Sequence, residues 1–257
     1  RDRFAAATVA QRIYYGKSGL HSPAHQWIIE DAQASGVGIN FRMRTVSGQM
    51  ARGDDVTFVS QLKGEFNFSN IRAAIAVGLT HYLPLKIIAI GITRVAHIRG
   101  RMEWIQKEPF AVVVDYAHTP DSLREVYGTL RPKNARLICV LGSAGGGRDK
   151  WKRPEFGKIA AEFCNEIVLT NEDPYDEDPF KIISEIAAGI PQRKSEVLKI
   201  IDRREAIQAA MNLAKNGDVV ILTGKGSESC IMGPRGTTTP WNEAEVALEE
   251  LAKLSKR

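Results

Sequence analysis

Three cysteines in 257 residues, widely spaced and odd in number, exclude a dense disulfide framework and a Cys-based zinc knuckle. Cys139, Cys164 and Cys230 stand in apolar surroundings, which argues for a reducing compartment and makes all three expected buried packing residues. His21, His25, His81 and His97 show no ligand spacing to Cys or carboxylates, so no zinc site is expected. No run reaches the roughly 20 continuous apolar residues of a membrane span, and the first residues lack the charged-then-apolar order of a signal peptide. A cytoplasmic location is therefore expected. Internal repeats and low-complexity tracts are missing, as are the Gly-Lys-Ser/Thr ending of a nucleotide-triphosphatase P-loop and the dinucleotide pattern Gly-x-Gly-x-x-Gly.

What remains is the composition of a globular protein, with 44% hydrophobic and 25% charged residues, and a length that excludes a stapled mini-protein. Lys and Arg exceed Asp and Glu by 35 to 30, a net +5 spread along the chain without a basic tract. That distribution requires no nucleic-acid partner and suits small anions such as nucleotide phosphates or carboxylates.

Short β-type runs at 37–43 and 56–62, separated by Ser47-Gly48 and Gly53-Asp54-Asp55, predict antiparallel strands in a small sheet. From Asn70 the apolar period changes: Ile71, Ala74, Ile75 and Leu79 predict a helix, and a second follows Pro84 to about Val95. A further amphipathic helix is read at 4–13. Beyond Gly100, compact apolar runs at 111–114, 137–141, 166–169, 197–201 and 219–222 alternate with helix-length amphipathic segments. This β-α-β alternation predicts a mainly parallel, Rossmann-like sheet covered on both faces, with ligands at the carboxyl ends of its strands.

The polar segments fall just after those runs. Asp115-Tyr116-Ala117-His118-Thr119-Pro120-Asp121 places an acid at a strand end, where a carboxylate can hold ribose hydroxyls. Thr119 or Asp121 serves better as the helix cap, which leaves Asp115 freer for a ligand. His118 suits stacking on a base or relaying a proton. Gly145 to Gly147 bring backbone N–H groups toward an anion, and Arg148 adds a planar fork for carboxylate or phosphate. Asp173, Asp176, Glu177 and Asp178 form an acidic stretch suited to an amino group, part of it explained by the cap of a helix after Pro179.

Taken together, Gly64-Glu65-Phe66-Asn67-Phe68-Ser69-Asn70, Gly100-Arg101-Met102-Glu103, the Asp115 segment, Arg148-Asp149-Lys150-Trp151-Lys152-Arg153-Pro154 and Gly224-Lys225-Gly226-Ser227-Glu228 resemble the Mur ligases. Within them the match is nearest to the branch that adds the third residue of the cell-wall stem peptide. The resemblance implies the end of a central domain at about 1–100 and an amino-acid-binding C-terminal domain at about 101–257. It implies ATP and Mg²⁺ as cofactors, with UDP-MurNAc-L-Ala-D-Glu and a free amino acid as partners, in a monomer. ATP phosphorylates the D-Glu γ-carboxylate, and the incoming amine displaces phosphate. By the same resemblance Asn67 and Asn70 lie in the adenine region, Arg101 meets nucleotide phosphates and Asp115 the ribose, with Tyr116 and His118 nearby. Arg148, Asp173, Tyr175, Gly224 and Glu228 match positions that hold the incoming amino acid.

This chain also departs from the family. Where ligases adding meso-diaminopimelate read Asp-Asn-Pro-Arg, it has Glu172-Asp173-Pro174-Tyr175, without a guanidinium for a second carboxylate, so a basic amino acid such as L-lysine or ornithine is expected. Gly147 stands for the usual Asp and Ser227 for the usual His. The family's P-loop, magnesium-binding Glu and His residues and carbamylated lysine have no counterpart ahead of the match, so the 257 residues alone are expected to be inactive and the Mg²⁺ ligands to lie elsewhere in the parent enzyme. Two alternatives stay open: a folylpolyglutamate or cyanophycin synthetase type of ligase, and a non-catalytic nucleotide or amino-acid binding module.

Overall fold

The computed structural model describes residues 14–16, 19–21, 26–35, 38–46, 55–147, 149–191 and 197–255. The helix read at 4–13, the turn residues 47–54 and Arg148 lie outside them. The chain divides into two compact units, the first ending at His97 and the second beginning at Ile98.

In the first unit, β1 (Tyr14–Gly16), β2 (Gly19–His21), β3 (Gln26–Ser35), β4 (Gly38–Val46) and β5 (Asp55–Ser60) form an antiparallel sheet in sequence order. The two strands read from the sequence are β4 and β5. Strand β5 alternates, with Val56, Phe58 and Ser60 inward, so only one face needs a cover. Phe58 stacks on its cross-strand partner Phe41 with centroids 4.9 Å apart. Helices α1 (Phe66–Thr80) and α2 (Leu85–Arg94) supply Ile71, Ile75 and Ile88 to the same core.

The second unit holds a six-stranded sheet in the order β10-β9-β8-β11-β7-β6. Its strands are β6 (Glu103–Gln106), β7 (Ala111–Asp115), β8 (Leu137–Leu141), β9 (Glu166–Leu169), β10 (Val197–Lys199) and β11 (Val219–Thr223). All pair in parallel except β6, an antiparallel edge strand. Every residue of β7, β8 and β11 is buried, as a sheet packed on both faces requires. The connecting helices are α3 (Pro120–Leu130), α4 (Lys152–Phe163), α5 (Pro179–Ala187) and α6 (Arg203–Leu213). A small ribbon of β12 (Cys230–Met232) and β13 (Thr238–Pro240) precedes α7 (Glu243–Leu254). Caps set where the helices start: Thr119 makes a capping box with Ser122 and is followed by Pro120, and Asp178, Asp202 and Asn242 each accept a first-turn N–H.

The cysteine expectation fails. Cys139 and Cys164 form a disulfide with Cα atoms 6.0 Å apart, because β8 and the end of α4, where it turns into β9, bring together residues 25 apart in sequence. Both are buried, but Cys230 is only partly so, and the inference of a reducing compartment loses its support.

One buried ion pair ties four elements. The Arg203 guanidinium, fully enclosed, donates to both oxygens of Glu243, to the Asn171 carbonyl at 3.0 Å and to the Thr223 carbonyl at 2.8 Å. It therefore joins α6, the ends of β9 and β11, and α7. Replacing Arg203 by Met leaves Glu243 and two carbonyls buried without this partner. The expected cost is about 3–5 kcal/mol, read as a lower urea midpoint; a loss under about 1 kcal/mol would contradict this role.

Candidate functional site

Because β7, β8, β9 and β11 are parallel, their carboxyl ends share one edge of the sheet, and four polar loops emerge there together. Asp115, the last residue of β7, is buried. Its Oδ2 accepts the Met102 N–H and its Oδ1 the Ala117 N–H, both at 2.7 Å. Burial nevertheless pushes its carboxyl above the ordinary aspartate range, against the pull of those two bonds. As read from the sequence, Thr119 and not Asp115 caps the helix; the structure adds that each Asp115 oxygen accepts a backbone N–H, one fastening the Gly100-Arg101-Met102 turn to the strand end.

The next residue gathers aromatic and charged neighbours. The Arg101 guanidinium lies 4.2 Å from the centre of the Tyr116 ring, and the His118 ring meets that ring edge-on at 4.6 Å. The Tyr116 hydroxyl donates to Glu228 Oε1 at 2.9 Å. Burial, reinforced by Glu228, pushes the phenol above its usual range, so it stays a donor. Lys152 Nζ donates to the His118 carbonyl at 3.3 Å, bringing in the start of α4.

The glycine loop after β8 already serves an anion of the protein itself. Gly147 N–H donates to Glu177 Oε1 at 2.7 Å, and Arg153 donates to the same carboxylate. These bonds, Arg153 first, hold the Glu177 carboxyl down at about 2. Gly145 N–H donates to the Asp173 carbonyl at 2.7 Å, which seats this loop on the one after β9.

Two of the amino-acid residues named from sequence, Asp173 and Glu228, converge on a lysine that sequence reasoning left without a role. Lys225 Nζ, fully buried, donates to Asp173 Oδ1 at 2.8 Å and to Glu228 Oε2. Asp173 Oδ1 also accepts the Met232 N–H at 2.7 Å. Burial pulls the Lys225 ammonium down, but Asp173 and Glu228 outweigh it and hold the pKa above the ordinary value. Two carboxylates against one ammonium leave this cluster with one net negative charge. Tyr175 takes a positive φ of 50° and lies beside Gly146, while its N–H donates to the Met232 carbonyl.

Glu172 was also missed as a site residue. It is buried with no hydrogen bond to its carboxyl among the described residues, and its Oε2 fills the space that a Cβ at Gly224 would need. Gly224 has a φ of 104°, so glycine is required there twice over. Asn67 and Asn70 sit on α1 in the first unit, where Asn70 donates to Asn67 Oδ1 at 2.9 Å and Asn67 donates to the Lys63 carbonyl at 2.7 Å. The structure thus brings Arg101, Asp115, Tyr116, His118, Asp173, Tyr175, Gly224 and Glu228 to one edge of one sheet.

Residues 100–226 match the model of the Mur ligase glutamate ligase domain. The chain carries a Mur ligase C-terminal domain. It is 40% identical to a UDP-N-acetylmuramyl-tripeptide synthetase of Roseiflexus sp. (strain RS-1), over 97% of this chain and 48% of that protein. It is 44% identical to a UDP-N-acetylmuramoyl-L-alanyl-D-glutamate--2,6-diaminopimelate ligase of Trichormus variabilis, over 78% of this chain and 41% of that one. A solved structure of a ligase with that same name superposes with a TM-score of 0.60 at 32% identity, covering 89% of this chain and 46% of that one. The chain spans about half the length of the curated relatives it matches. No helix among the described residues of this Mur ligase chain is long and apolar enough to cross a membrane. No group of three or more His, Cys, Asp or Glu among them is placed to hold a metal ion.

Glu172 gives this Mur ligase domain a measurable pH signature. Burial raises its carboxyl from 4.5 to about 7, with Arg203 and Lys225 opposing. An acid whose pKa is higher folded than unfolded destabilises the fold increasingly as pH rises from about 4.5 to about 7. Glu172→Gln is therefore expected to match wild type near pH 4.5 and to gain up to about 3 kcal/mol over it at pH 8 in denaturant titrations. A gain that does not change with pH would contradict the assignment.

Proposed function

We propose that the chain supplies the amino-acid-accepting part of an ATP-dependent ligase that joins a basic amino acid, L-lysine or ornithine, to the D-Glu γ-carboxylate of UDP-MurNAc-L-Ala-D-Glu. The observation that carries this reading is the Asp173–Lys225–Glu228 cluster, two carboxylates on one ammonium at the carboxyl edge of the sheet, with the Arg101 guanidinium on the neighbouring Tyr116 ring. In this reading Arg101, Asp115, Tyr116 and His118 attend the nucleotide, with Asn67 and Asn70 at the adenine. Arg148 takes the amino acid's carboxylate, while Asp173, Glu228 and Gly224 receive its distal ammonium and Tyr175 borders it.

The chemistry needs a leaving group, because a carboxylate is a poor electrophile. ATP transfers its γ-phosphoryl to the D-Glu carboxylate, releasing ADP. The neutral α-amine nitrogen then attacks the acyl carbon, the new C–N bond forms, the C–O bond to phosphate breaks, inorganic phosphate leaves with the electron pair, and the nitrogen gives up one proton to water or to the departing phosphate. The chain's own contribution is binding and orientation, together with a field that favours a positive side chain. A substrate with a second distal carboxylate would set it against Asp173 and Glu228 with Tyr175 where a guanidinium would be needed, a direct electrostatic penalty.

The test supplies the gene's encoded protein with ATP, Mg²⁺, UDP-MurNAc-L-Ala-D-Glu and an amino-acid panel, following ADP release and product mass. Products with L-lysine or ornithine, and none from the 257 residues alone, are expected. Turnover with meso-diaminopimelate but not lysine would overturn the choice of amino acid, and ATP-driven ligation by the isolated chain would overturn the division of labour.

A further inference from the structure

Tyr116 stands with the nucleotide residues in the reading above, yet its only side-chain hydrogen bond among the described residues points the other way, to Glu228. Three observations make that bond a built feature. The β11 loop lies directly on the residue: a Cβ at Gly226, which has a φ of 48°, would sit 2.6 Å from the Tyr116 Cβ, so only glycine lets the two backbones approach this closely. The ring itself is held from two sides, by Arg101 at 4.2 Å and by His118 at 4.6 Å, which fixes where its hydroxyl points. And the carboxylate it meets is shared: one Glu228 oxygen faces Tyr116 and the other faces Lys225, so the side chain is oriented at both ends while remaining partly exposed to a ligand.

We propose that Tyr116 is a positioning residue for the amino-acid side of the site, acting through Glu228: its hydroxyl and Lys225 together hold the Glu228 carboxylate in the one orientation that receives the distal ammonium of the substrate. This rests on the ligase reading and deepens it. An unheld glutamate would have to lose side-chain freedom each time substrate bound, whereas this one is already ordered in the free protein.

The test is Tyr116→Phe in the gene's encoded protein, a change that keeps the ring, its contacts with Arg101 and His118, and its packing on Gly226. Steady-state kinetics are measured separately against amino acid and ATP, for Tyr116→Phe, Glu228→Gln and the double variant. The amino-acid KM is expected to rise about tenfold in Tyr116→Phe, the scale of one hydrogen bond to a charged group, while the ATP KM moves by less than about twofold. Because the hydroxyl acts only through Glu228, the double variant should be no worse than Glu228→Gln alone. A rise confined to the ATP KM, or losses that multiply in the double variant, would overturn the proposal and leave the ligase reading standing. A wild-type protein that ligates no amino acid at all would overturn both.

Discussion

A single buried ammonium sets the geometry of this site. Lys225 has no exposed surface, and a charge in that position is tolerable only when opposed and hydrogen-bonded, which Asp173 and Glu228 provide from two different loops. Through Asp173 the arrangement reaches Met232 and the β12–β13 ribbon, and through Glu228 it reaches Tyr116 and the end of β7. The loops after β7, β9 and β11 are thus held to one another by charge and hydrogen bonds. Behind them the Arg203–Glu243 pair fixes the strand ends from which two of those loops leave.

The same arrangement bears on selectivity. A cluster of two carboxylates without Lys225 would be strongly anionic and would repel itself; with Lys225 it keeps one net negative charge and a defined shape. Glu172 adds a carboxyl that burial raises to about 7 beside this cluster. The glycine loop contributes order more than charge, because its Gly147 N–H is already engaged by Glu177.

Much of this was legible in the sequence, and what was not has identifiable causes. The runs that became β7, β8 and β11 read as strands because both faces are buried and their residues are accordingly almost all apolar, and β9 and β10, less buried, still carry short apolar runs. Their carboxyl ends then located the site loops. Strands β1, β2 and β3 left no such signal: β3 reads Gln-Trp-Ile-Ile-Glu-Asp-Ala-Gln-Ala-Ser, polar at both ends, and its pairing is set by β4. The edge strand β6 is four residues long and only half-buried. The disulfide was hidden because the proximity of Cys139 and Cys164 is created by the packing of α4 and β9 on β8, not by spacing along the chain. The bond from the Met102 N–H to Asp115 left no sequence signal because the two residues lie 13 apart. Lys225 stood in the Gly224-Lys225-Gly226-Ser227-Glu228 motif without a role, because only the tertiary fold shows that its ammonium is enclosed.

The most direct measurement is a crystal structure of the gene's encoded protein with L-lysine and ADP bound. The account predicts the ligand's distal ammonium against Glu228 and Asp173, with Lys225 still bridging both. A ligand ammonium elsewhere, or a Lys225 displaced from between the two carboxylates when substrate binds, would contradict it.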